Sequence, residues 1–139
     1  MEKFALYVMM ESYCLYSYHV TGENNYRKEL LKIYDDMLRA GDYKTNEKEY
    51  FNISLFRNMV IISFELDEFK WLNNLISGYS DQLHPDSKED TKNVSMALLH
   101  LGNTRYEEAL DYITKVKSDS LQKVKLKMAS EKKPKTRNP

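Results

Sequence analysis

NVSMALLHLGNTRYEEALDYITKVK, residues 93 to 117, holds two short helical patterns back to back, separated by Gly102-Asn103-Thr104. The first carries Val94, Ala97, Leu98 and Leu101 at helical spacing. The second carries Tyr106, Ala109, Leu110, Ile113 and Val116. Ala97 and Ala109 are small enough to let two helix backbones approach closely, as an antiparallel helix pair requires. Ala109 is therefore expected at the crossing of the two helices.

The run Tyr106-Glu107-Glu108-Ala109-Leu110, followed by Tyr112-Ile113 and Lys115-Val116, resembles the second helix of a tetratricopeptide (TPR) repeat. Met96-Ala97 fits the large-then-small pair of that repeat's first helix. The stretch departs from the repeat at Asn93, at His100, where the repeat has an aromatic, and at Thr104, where it has the turn glycine. The resemblance implies a TPR-like solenoid, with Tyr106 wedged between consecutive helix pairs and a ligand taken on a concave face. The chain also looks like helical-repeat segments of larger bacterial proteins, with no function attached to that likeness.

The 139 residues amount to one domain. Only four Gly and three Pro punctuate them, which favours helices over a many-stranded fold. Working back from the N-terminus, residues 2–20 form a first helix with Leu6, Met9, Met10, Tyr13, Tyr16, Ser17 and Val20 on a 3.6-residue period. Tyr7 and Tyr18 lie off that stripe, so this helix is apolar nearly all round and is either sandwiched or meets a partner. A second helix, about 24–40, carries Tyr26, Leu30, Ile33 and Met37, with Leu31, Tyr34 and Leu38 beside them. A polar loop leads to a third, about 50–66, with Ile53, Phe56, Val60 and Ser63. Met59-Val60-Ile61-Ile62 is β-branched enough to suggest a strand, but its surroundings favour helix. Asp67 is expected to cap a fourth helix, about 68–83, and Asp86 or Ser87 to start the fifth.

Set in register, the even-numbered helices align Tyr26, Phe69 and Tyr106, and with them Ile33, Ile76 and Ile113. The odd-numbered helices align Ser17, Val60 and Ala97. Spacings of 43 and 37 residues are those of a degenerate helix-pair repeat. The expected fold is thus an all-α, right-handed superhelix of about three antiparallel helix pairs over residues 1–118. Residues 119–139 form a basic, partly disordered segment in which Leu121, Val124 and Met128 fit a seventh helix, while Val124-Lys125-Leu126-Lys127-Met128 alternates like a strand.

Residues 1–114 hold 12 basic and 19 acidic side chains, net −7, against 9 and 2 in residues 115–139, net +7. RNA or anionic-surface binding through that basic end is one alternative function. It has no aromatic residue to stack on bases, so nucleic acid is not the expected partner. The single cysteine, Cys14, forbids an intramolecular disulfide and suits a reducing, cytoplasmic compartment. The longest apolar run near the N-terminus, Phe4 to Met10, is too short for a membrane span. No pair among His19, His84 and His100 has ligand spacing, and no phosphate loop or nucleophile motif occurs. No metal, cofactor or catalytic activity is expected.

The expected function is non-catalytic: a protein-interaction module taking a peptide or partner helix on the concave face of the odd-numbered helices. Arg57-Asn58 interrupts the most apolar run, Phe51 to Phe64, and a buried unpaired charge is too costly. Arg57 and Asn58 are therefore candidate anchors for a peptide backbone or acidic group, with Glu11, Tyr18 and Ile61 as neighbours. The competing account is an intramolecular bond from Arg57 to Glu11, Glu65 or a helix-end carbonyl. The four tyrosines of the first helix also offer an outer adhesive face, so the other alternative is a structural repeat segment of a larger protein, self-associating into a homo-oligomer or docking onto an upstream repeat.

Overall fold

The computed structural model describes residues 2–117. Six helices follow in order: α1 Glu2–Thr21, α2 Asn24–Ala40, α3 Ile53–Glu65, α4 Phe69–Tyr79, α5 Pro85–Gly102 and α6 Tyr106–Ile113. A short 3-10 helix, Ser80–Gln82, follows α4. Among the described residues there is no strand, and no helix is long and apolar enough to cross a membrane. The chain is all-α. The basic segment 119–139, with Leu121, Val124 and Met128, lies outside the described residues.

Helix ends are set by local chemistry, and here the structure moves several expected boundaries. Four helices have a left-handed residue just past the end: Gly22 follows α1 with a single return bond to Tyr18 O, and the other three close in the same way as one another. Those three residues are Gly41 after α2, Asp67 after α3 and Thr104 after α5. In each of the three, two backbone N–H groups turn back onto the last turn, such as Glu68 N–H to Ser63 O at 2.9 Å and Arg105 N–H to His100 O at 2.8 Å. Asp67 therefore ends α3; it does not cap α4, whose first turn has no side-chain cap. Helix α3 starts at Ile53, three residues later than the spacing suggests, because the Asn52 side chain accepts the Leu55 N–H. The His84 ring nitrogen Nδ1 accepts the Asp86 N–H, so α5 opens at Pro85, a position that needs no donor.

Each of α1–α2, α3–α4 and α5–α6 is joined by two or three residues and packed side by side, as antiparallel pairs are. Successive pairs touch through α2–α3, α3–α5 and α4–α5. Trp71 on α4 donates its indole N–H to Asp35 on α2 at 3.0 Å. The 43- and 37-residue register holds for burial: Ile33, Ile76 and Ile113 are all buried, as are Ser17, Val60 and Ala97. Tyr26, Phe69 and Tyr106 are all half-buried.

Tyr106 is thus only half-buried, not the closed wedge that was expected. Its counterpart Phe69 shows what a covered wedge requires. A Cβ built on Gly102 would sit 2.2 Å from the Phe69 ring, so the ring lies directly on the backbone of the following pair. For Tyr106 the next stretch of chain lies outside the described residues. Ala97 and Ala109 meet in a small cluster with Ile113 and Val116, where the α5–α6 crossing was expected. His100 stacks on Tyr112 with centroids 5.3 Å apart.

The larger core spans α1 to α5 and includes the loop before α3. Phe51 in that loop is buried against Tyr43, Phe56 and Tyr79, and its N–H donates to Gln82 O. The chief departure from the sequence reading is in α1. Its periodic apolar stripe, Leu6, Met9, Met10, Tyr13, Tyr16 and Val20, faces outward. The buried or half-buried stripe is Phe4, Tyr7, Glu11, Cys14 and Tyr18, which contains a carboxylate.

Candidate functional site

Glu11 is 7% exposed. A carboxylate this deep needs donors, and two other helices supply them. Tyr34 Oη on α2 donates to Glu11 Oε2 at 2.5 Å, and Asn58 Nδ2 on α3 donates to the same oxygen at 3.2 Å. The three side chains tie α1, α2 and α3 together. Burial pushes the Tyr34 phenol well above its ordinary pKa, and the hydrogen bond to Glu11 and that residue's charge push it further. Tyr34 is the fixed donor of the site. Cys14, one turn along α1, is also buried, and desolvation followed by the charge of Glu29 raises its thiol pKa. A thiol in that setting is a poor nucleophile.

Tyr18, two turns beyond Glu11 on the same stripe, lies under the Arg27 guanidinium at 4.8 Å. Arg27 also binds Asn24 Oδ1 and, at 3.0 Å, Glu65 Oε1. Tyr18 and Glu65 are thereby gathered into a second cluster at the outer edge of the α1–α2–α3 junction.

These two clusters decide the surroundings of Arg57. Both carboxylates the sequence offered it are engaged elsewhere, Glu11 by Tyr34 and Asn58, Glu65 by Arg27. Arg57 is exposed and makes no hydrogen bond or ion pair with the described residues. It shares the outward stripe of α3 with Ser54, Ile61 and Glu65, at 3-4-4 spacing. Ile61 is one of the few large apolar side chains exposed outside α1.

The five residues singled out in the sequence therefore fall into three groups. Glu11 and Asn58 meet directly. Tyr18 belongs with Arg27. Arg57 and Ile61 stand one helical turn apart in solvent. Sequence reasoning missed Tyr34 and Arg27. The signal for Tyr34 was a lone carboxylate inside an aromatic stripe, which demands a hydroxyl or amide from a neighbouring helix. The signal for Arg27 was weaker, a cation beside Tyr26 at the start of α2, where it can reach back over α1.

Among the described residues no group of histidine, cysteine and acidic side chains is placed to hold a metal ion. Comparison with family models, with curated proteins and with solved structures gives no match. The functional reading stands on the residues themselves.

Proposed function

We propose that the chain is a non-catalytic protein-interaction module, a TPR-like right-handed superhelix that takes a peptide or partner helix on the side of its odd-numbered helices. Arg57 captures an acidic group of the ligand, a side-chain carboxylate or a chain terminus, and Ile61 gives an adjoining apolar contact. The observation that supports this is the exposed Arg57 guanidinium, which has no partner among the described residues because Glu11 and Glu65 are bound to other side chains. A guanidinium presents a planar pair of donors that matches a carboxylate. Asn58, Glu11 and Tyr18 contribute by holding α3 against α1 and α2, so the arginine projects from a rigid base.

Selection of random peptides with free C-terminal carboxylates on the immobilised chain tests the reading. Enriched peptides are expected to carry an acidic group. Their affinity is expected to fall by about 10- to 100-fold with Arg57→Glu, the loss of one charge-assisted hydrogen-bonded pair. Peptides that bind Arg57→Glu as well as the unaltered chain, or no enrichment at all, refute it.

A further inference from the structure

Helix α1 carries a second surface, separate from Arg57. Leu6, Met9, Met10, Tyr13, Tyr16 and Val20 are each between 40% and 69% exposed. Leu6, Met9, Tyr13, Tyr16 and Val20 follow a strict 3-4-3-4 spacing, the repeat of a helix-packing seam, along a 20-residue helix. The inward stripe of α1 is already occupied by α2 and by Asn58 of α3. The outward stripe is covered by none of the described residues.

We propose that this stripe packs against α1 of a second copy of the chain, in a two-fold contact that uses the same face on both sides. Three observations single out that occupant. The first is area. Buried aromatic side chains contribute 150–250 Å² each. At the exposures found, the two tyrosines and four aliphatic side chains offer at most roughly 700 Å² per copy, within reach of the ~800 Å² per partner of a standard specific interface. The second is self-complementarity. The stripe is aliphatic at both ends, Leu6 and Val20, with tyrosines near its middle. An antiparallel pair of α1 helices crossing at Tyr13 therefore sets Leu6 on Val20, the Tyr13 rings on each other and Tyr16 against Met10, with the hydroxyls at the wet edge. The third is the charge of the last described helix pair. Helices α5 and α6 expose no large apolar side chain, and α6 presents Glu107, Glu108 and Asp111 to solvent. A head-to-tail contact would press an apolar face onto acidic residues, whereas a two-fold contact closes apolar on apolar. An anionic membrane surface is a poorer occupant. Among the described side chains of α1, the exposed ones that are or can become cationic are only Lys3 and His19, too few for an interfacial helix.

Sedimentation equilibrium over about two decades of micromolar concentration reads the outcome. The unaltered chain is expected to reach twice its monomer mass. The Tyr13→Glu/Tyr16→Glu variant is expected to stay monomeric with its helical circular dichroism unchanged, because both side chains are exposed. Its self-affinity should fall about a hundredfold or more, as for two aromatic anchors at the centre of a patch. A Tyr13→Lys/Tyr16→Lys variant should be monomeric alone, yet form a salt-sensitive heterodimer when mixed one-to-one with the Glu variant. That happens only where two α1 faces meet. Ile61→Glu, on the exposed stripe of α3, should dimerise like the unaltered chain. A monomeric unaltered chain overturns the proposal, whether or not it binds anionic vesicles. So does a dimer that survives the Glu pair, or a mixture of Glu and Lys variants that fails to associate.

Discussion

Replacing Glu11 and Tyr34 singly and together tests whether their hydrogen bond organises the α1–α2–α3 junction. The Tyr34 ring is fully buried and its hydroxyl meets Glu11 at 2.5 Å. Tyr34→Phe keeps the ring and removes one donor to a buried carboxylate. A hydrogen bond to a charged group contributes about 1.5–3 kcal/mol, so the loss should be about 2 kcal/mol. Glu11→Met removes the carboxylate at similar length and leaves the Tyr34 hydroxyl buried without an acceptor, a penalty of about 1–3 kcal/mol. The double variant buries neither a charge nor an orphan hydroxyl. The half-buried Asn58 amide can turn to water. The pair together should therefore be less destabilising than the two single losses added, with a coupling of about 1.5–3 kcal/mol. Urea unfolding followed by circular dichroism measures this. With a slope of roughly 1–3 kcal/mol per molar, each single variant shifts its midpoint by about 1 M. Additive losses, with coupling under about 0.5 kcal/mol, would show that the hydrogen bond does not hold the junction.

Four further outcomes follow from the packing and the charges. Gly102→Ala drives a methyl into the Phe69 ring and should cost about 1–3 kcal/mol, partly recovered with Phe69→Leu; urea midpoints of both variants check it. Thr104 holds a left-handed conformation with φ 59°, unfavourable for a β-branched residue, so Thr104→Gly should raise stability by about 0.5–1 kcal/mol in thermal melts. Ala109→Leu overpacks the α5–α6 crossing and should destabilise by about 1–3 kcal/mol, with a neutral result placing the crossing elsewhere. Tyr34 has a folded-state pKa raised above that of the unfolded chain. Its stabilisation is therefore fully present below about pH 10 and is lost as pH rises beyond it, and Tyr34→Phe should flatten that alkaline decline in stability measured by denaturant titration.

Much of the chain could be read locally. The six described helices and their breaks lie near where glycines, polar caps and the 3.6-residue period put them, because those signals act within a few residues. Where the boundaries moved, a competing local bond won. The Asn52 side chain took the Leu55 N–H, and Asp67 adopted the left-handed turn that closes α3. The small residues of the α5–α6 crossing were visible for the same reason, as were the 43- and 37-residue spacings that align Ile33, Ile76 and Ile113.

The face that α1 turns inward was decided only by the tertiary structure. A helix apolar nearly all round gives periodicity no preferred side, and its strongest stripe turned out to face solvent. The choice lies with Glu11, whose donors are 23 and 47 residues away in sequence. Only the packing of α2 and α3 brings a phenol and an amide to one carboxylate oxygen, which makes a stripe containing a charge the buried one. The same packing gave Glu65 to Arg27 and left Arg57 in solvent. The sequence by itself determined where helices form and how they pair. Which carboxylate met which donor, and so which surfaces stayed open for a partner, followed from long-range geometry that no local pattern encodes.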